Sequence, residues 1–131
     1  MGKVMHFELG VDDLDRAKGF YSSVFGWKLD TSDMPGGGQY TSIITTDVDP
    51  QTMAPTEPGA INGGMVPRAE AVTPAPVVTI GVDGIDQALA QVEAAGGTTV
   101  TPRTEIPGMG AYAYFTDLEG NVMGLWENAT G

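Results

Sequence analysis

The stretch Gly10-Val11-Asp12-Asp13-Leu14-Asp15-Arg16-Ala17 returns 71 residues later as Gly81-Val82-Asp83-Gly84-Ile85-Asp86-Gln87-Ala88. In that alignment Gly10-Val11-Asp12 falls on Gly81-Val82-Asp83, Asp15 on Asp86 and Ala17 on Ala88, and further along Gly26 falls on Gly97. Self-similarity at a fixed offset marks a repeated supersecondary unit, so the chain on either side is read as two copies of one design.

Working outward in the first copy, Val4-Met5-His6-Phe7-Glu8-Leu9-Gly10-Val11 alternates, with Met5, Phe7, Leu9 and Val11 on one face and His6 and Glu8 on the other. Period-two alternation predicts a strand. Asp12-Asp13 then lead into Leu14, Ala17, Phe20, Tyr21, Val24 and Phe25, spaced as one helical face, with Gly26 placed to end the helix. Trp27 to Ser32, Gln39 to Thr46 and Ala60 to Val66 read as three strands, the first two joined by a turn at Pro35-Gly36-Gly37-Gly38. The order is β-α-β-β-β.

After the proline-rich Val72-Thr73-Pro74-Ala75-Pro76, read as a linker, the same order recurs. Val77 to Val82 is a predicted strand. Ile85, Ala88, Leu89, Val92 and Ala95 mark a helix ended by Gly96-Gly97, and Thr98 to Thr101, Gly110 to Phe115 and Asn121 to Glu127 are predicted strands. Two βαβββ modules, 1–70 and 77–131 with a linker at 71–76, form one expected α+β domain over 1–131.

Composition narrows the chemistry. The 131 residues carry 17 acidic against six basic side chains, a formal net charge of −11, with one histidine and no cysteine. An acidic surface repels phosphate backbones and anionic headgroups, so neither nucleic acid nor membrane is expected as a partner. No apolar run reaches the roughly 20 residues of a membrane span, and the first residues do not resemble a signal peptide; a cytoplasmic location is the expectation. Without cysteine there is no thiol nucleophile, disulfide framework, Cys-built zinc site or iron–sulfur cluster, and one histidine excludes two-histidine metal designs within one chain.

His6-Phe7-Glu8-Leu9-Gly10-Val11-Asp12-Asp13-Leu14-Asp15-Arg16-Ala17, then Phe20-Tyr21 and Val24-Phe25-Gly26-Trp27, resembles the opening of the vicinal-oxygen-chelate superfamily, which includes glyoxalase I, bleomycin-resistance proteins and extradiol dioxygenases. Asp117-Leu118-Glu119-Gly120-Asn121 resembles that superfamily's "DPxGN" ending. The resemblance implies the glyoxalase/bleomycin resistance fold, in which two tandem βαβββ modules form one open eight-stranded cup with helices outside. Members often pair, so a homodimer is also expected.

In metal-dependent members, one side chain from the first and one from the last strand of each module bind a divalent ion at the cup floor. Carried over residue by residue, these positions fall on His6, Val77, Gly63 and Gly124. Valine and glycine have no side-chain lone pair, and one imidazole cannot outcompete water for a divalent metal. A His6–Glu8 pair completed by waters would hold a metal only weakly. The expectation is therefore a branch deficient in the metal site, with no metal and no cofactor.

Gly63 and Gly124 either leave room for a ligand or relieve crowding in a curved sheet. By alternation Met65 and Trp126 are expected on the cup face beside them, lining a ligand site or filling the core between modules. Polar groups at His6, Glu8 and Thr79 would orient a ligand. Val77 is the valine-occupied corner, and Tyr112 and Tyr114 share one face of a third strand. His6 beside Glu8 either moves protons, its pKa raised by the neighbouring carboxylate, or fixes the floor as a hydrogen-bonded residue.

The expected function is a metal-independent small-molecule-binding protein of the glyoxalase/bleomycin-resistance type, with an apolar cup for a flat or hydrophobic ligand. The expected ligand-binding residues are Gly63, Met65, Val77, Thr79, Tyr112, Tyr114, Gly124 and Trp126. The alternative is a lyase or isomerase related to lactoylglutathione lyase, with His6 and Glu8 as catalytic acid–base groups or with a weak divalent-metal site. A third is a structural or regulatory module whose cup is filled by its own side chains.

Overall fold

The computed structural model describes residues 2–34 and 38–129. Along the chain the elements are β1 (Lys3–Val11), α1 (Leu14–Phe25), β2 (Lys28–Asp33), β3 (Gln39–Ile44), β4 (Asn62–Pro67), β5 (Val77–Gly81), α2 (Ile85–Ala94), β6 (Thr98–Ile106), β7 (Gly110–Thr116) and β8 (Val122–Asn128). A single 3-10 turn, Arg68–Glu70, follows β4. The α+β class, the two βαβββ modules and their eight strands are as expected. The predicted turn at Pro35-Gly36-Gly37 lies outside the described residues. Contacts divide the chain into two compact units, one from His6 to Pro76 and the other from Val77 onward, joined by the chain up to Met5.

In the first unit the strand order is β2-β3-β4-β1. β4 runs parallel to β1 and antiparallel to β3. Asp13 starts α1: its carboxylate accepts from the Arg16 backbone N–H at 2.9 Å, satisfying one of the donors a helix start leaves open. Gly26 ends it with φ +71°, in the left-handed region glycine enters without steric cost, and its N–H donates to the Ser22 carbonyl at 3.0 Å.

In the second unit the order is β5-β8-β7-β6. α2 has no side-chain cap from Gly84. A carboxylate from β8 replaces it: Glu127 accepts from the Ile85 N–H at 2.8 Å and from the Arg103 guanidinium at 2.8 Å. β6 runs on to Ile106, beyond the predicted Thr101, and passes through Pro102. It can do so because it pairs only with β7, so the missing proline N–H breaks no second ladder, and register shifts between Thr99 and Thr104 absorb the misfit. β2 likewise ends the strand order of its own unit.

The two helices differ in how they bury their apolar faces. Ile85 and Leu89 of α2 are buried against Ala111, Ala113 and Leu125 in one core cluster. α1 buries no residue, and Phe20, Val24 and Phe25 are each more than half exposed. Its aromatic residues stack instead: Tyr21 lies parallel to Trp27 at 5.1 Å, and Trp27 lies 6.0 Å from Phe7 of β1.

Candidate functional site

In the first unit the pairing registers set which side chains share a face. His6 pairs with Asn62, Glu8 with Gly64, and Ser42 with Gly64, so His6, Glu8, Asn62, Gly64, Tyr40 and Ser42 lie on one side of the sheet. Phe7, Gly63 and Met65 lie on the other, the side on which Phe7 meets the aromatic residues around α1.

Across the first face Tyr40 reaches His6, phenol oxygen to Nε2, at 3.1 Å. The path crosses β4 at Gly64, where a Cβ would run into the Tyr40 hydroxyl and ring. Glycine at 64 is thus what permits the contact. Asn62, on the same face, is fully engaged elsewhere: its carbonyl oxygen accepts from the Thr45 and Thr46 N–H groups at 2.7 and 3.2 Å, and its amide donates to the Thr46 carbonyl at 3.3 Å. It pins the chain leaving β3.

Burial lowers the His6 pKa below its ordinary 6.5, so the imidazole is neutral at pH 7. The expected upward shift from Glu8 is not found, because the cost of burying an imidazolium dominates. Tyr40 moves the other way: burial first, then the negative charge of Glu8, pushes its phenol well above the ordinary value. The Glu8 carboxylate is therefore felt at the tyrosine. The result is a neutral imidazole joined to a protonated phenol, with a carboxylate on the same face.

The other expected site residues divide between faces. Gly63 and Met65 are not on the His6 face; β4 sits one residue out of the expected phase, and its glycine on that face is Gly64. Met65 is 1% exposed and belongs to the core, and a Cβ at Gly63 would meet the Phe7 carbonyl and ring. In the second unit, Thr79 pairs with Gly124 and Gly124 with Tyr114, while Trp126 pairs with Tyr112. Val77, Thr79, Tyr112, Tyr114, Gly124 and Trp126 therefore share the face opposite α2. Val77 and Thr79 are buried. The volume beside Gly124 is taken by Thr79, whose Oγ1 lies 2.7 Å from where a Cβ would stand. Trp126 covers Gly110 and donates its indole N–H to Asn128 at 2.8 Å, and Tyr112 and Tyr114 meet edge to face at 5.8 Å.

The donor set does not fit a divalent metal. Of the four corner positions only His6 carries a donor atom, and among the described residues no three His, Asp or Glu side chains converge. Neither Tyr40 nor Gly64 is among the ligand-binding residues expected from the sequence. The Gly63-Gly64 pair was visible, but two adjacent glycines carry no alternation from which to choose the inward one.

Residues 3–125 match the Glyoxalase/Bleomycin resistance protein/Dioxygenase superfamily. The chain is 33% identical over 121 residues to the "Putative glyoxylase CFP32" of Mycobacterium tuberculosis, covering 92% of this chain and 43% of that protein. It is 28% identical over 130 residues to the anthracycline biosynthesis protein DnrV of Streptomyces peucetius, covering 92% and 45%. The chain thus spans less than half the length of these curated relatives. A variant of the Streptomyces coelicolor methylmalonyl-CoA epimerase, solved in complex with 2-nitronate-propionyl-CoA, superposes with TM-score 0.68 at 14% identity, covering 99% of both chains. The Mycobacterium tuberculosis methylmalonyl-CoA epimerase gives TM-score 0.66 at 17% identity, covering 98% of this chain and 89% of that one. At such identities these structures speak to the fold alone.

Proposed function

The chain belongs to the Glyoxalase/Bleomycin resistance protein/Dioxygenase superfamily, and from that premise we propose that it is a metal-independent small-molecule-binding protein whose His6–Tyr40 pair orients a flat or hydrophobic ligand. The observation that carries this reading is the pair itself: two neutral polar groups, 3.1 Å apart and held across a glycine, where a metal-dependent relative would need several ligands. A half-buried polar pair of this kind can exchange its mutual hydrogen bond for one to a ligand carbonyl or hydroxyl without desolvating a charge. The face bearing Trp126, Tyr112 and Tyr114 supports the same ligand class, since aromatic side chains offer large apolar area with few rotamers to order.

The proposal extends to a cytoplasmic protein that forms a homodimer and has no nucleic-acid partner. Its acidic charge supports the last point. No helix among the described residues is long and apolar enough to cross a membrane.

Titration of ligand identified from protein purified out of cells tests the binding role. Tyr40→Phe should weaken affinity at least tenfold, with EDTA having no effect; unchanged affinity in Tyr40→Phe would remove the pair from the site.

A second reading, a lyase or isomerase using His6 and Glu8, is favoured by one feature. The lowered His6 pKa leaves the imidazole unprotonated and able to accept a proton at neutral pH, with the Glu8 carboxylate nearby to balance charge. On that reading His6→Ala abolishes turnover, whereas a pure binding protein has no turnover to lose.

A further inference from the structure

Gly19 lies in the interior of α1, where glycine weakens a helix relative to alanine. It is solvent-exposed, and no heavy atom lies within 4 Å of where its Cβ would stand. At Gly63, Gly64 and Gly124, by contrast, the chain itself fills the vacated space. Gly19 borders instead an open, shallow groove of about 420 Å³ between α1 and β2.

The lining of that groove is unusual for so acidic a chain. Lys18 and Lys28, two of only six basic side chains, both border it, whereas Arg68 and Arg103 are committed to ion pairs with Asp12 and Glu127. Lys18 already reaches across toward β2, donating to the Thr31 hydroxyl at 3.3 Å. Trp27 forms one wall, held by its parallel stack on Tyr21. Asp30 shares the rim and disfavours a multiply charged anion.

We propose that the groove between α1 and β2 is a binding site for a flat aromatic carboxylate, its ring against Trp27 over the open backbone of Gly19 and its single negative charge met by Lys18 and Lys28. The lysines supply the charge complementarity, and Gly19 supplies the close approach to the helix backbone. None of these residues belongs to the His6–Tyr40 face, so the site stands or falls independently of the function proposed above.

The test is a titration of the isotopically labelled protein with 2-naphthoate, followed by the Gly19 amide and the Trp27 indole N–H in NMR spectra. Both signals should shift along a saturable curve, and uncharged 2-naphthol should bind at least fivefold more weakly. Lys18→Gln/Lys28→Gln, which leaves the core untouched, should weaken 2-naphthoate at least fivefold. Gly19→Leu, which fills the floor with a better helix former, should abolish binding. Equal affinity for the two probes, undiminished binding by Gly19→Leu, or no saturable shift at these two signals would overturn the proposal.

Discussion

Tyr40 reaches His6 only because the residue between them, Gly64, has no Cβ. Gly64→Ala forces the phenol off its path and should cost about 1–3 kcal/mol, the usual range for overpacking. In a Tyr40→Ala background the same change should cost far less, so urea unfolding of the four proteins should yield a coupling energy of about 1 kcal/mol or more; additive losses would mean that the two residues do not meet. His6 adds a pH dependence. Its pKa is lowered in the fold from 6.5, so the unfolded chain takes up the proton first. Stability should therefore fall as pH drops below 6.5, levelling off once the lower folded value is passed, with a limiting slope of about 1.4 kcal/mol per pH unit. Because His6 is the single histidine, His6→Gln should flatten the profile in that window. The Asp117 and Glu127 carboxylates, both held below their ordinary values by hydrogen bonds, act only at more acid pH.

Between the helices, equal apolar patterns have unequal outcomes. Leu89 of α2 lies in the core cluster, and Leu89→Ala should cost about 2–5 kcal/mol. Phe25 of α1 is 60% exposed and lies against the rings of Tyr21 and Trp27, so Phe25→Ala should cost about 1 kcal/mol or less. Denaturant midpoints separate the two; matching losses would show that α1 closes a core as α2 does. Periodicity told which residues of α1 are apolar but not what covers them, because a helical stripe looks the same over a core and over solvent. Element order was legible, since alternation, the Asp13 cap and the Gly26 stop are local signals. The phase of β4 was not: its register is set by parallel pairing with β1, far away in sequence, and Gly63-Gly64 has no side chain to reveal it.

At the scale of the molecule, the 71-residue repeat announces two modules because each copy must place the same strand end, helix start and stop in the same order. That Val77, Gly63 and Gly124 offer no side-chain donor at three of the four positions carried over from metal-dependent members is plain from the sequence. That Tyr40 meets His6 is not, because the contact crosses two strand pairings that only the folded sheet brings together. We propose that this sheet holds a small organic molecule without a metal. Native mass spectrometry of protein taken directly from cells, with and without EDTA, tests it in one measurement. An organic adduct that survives EDTA and is diminished in Tyr40→Phe is expected; a stoichiometric divalent metal, or an adduct released by EDTA, would overturn the metal-free reading.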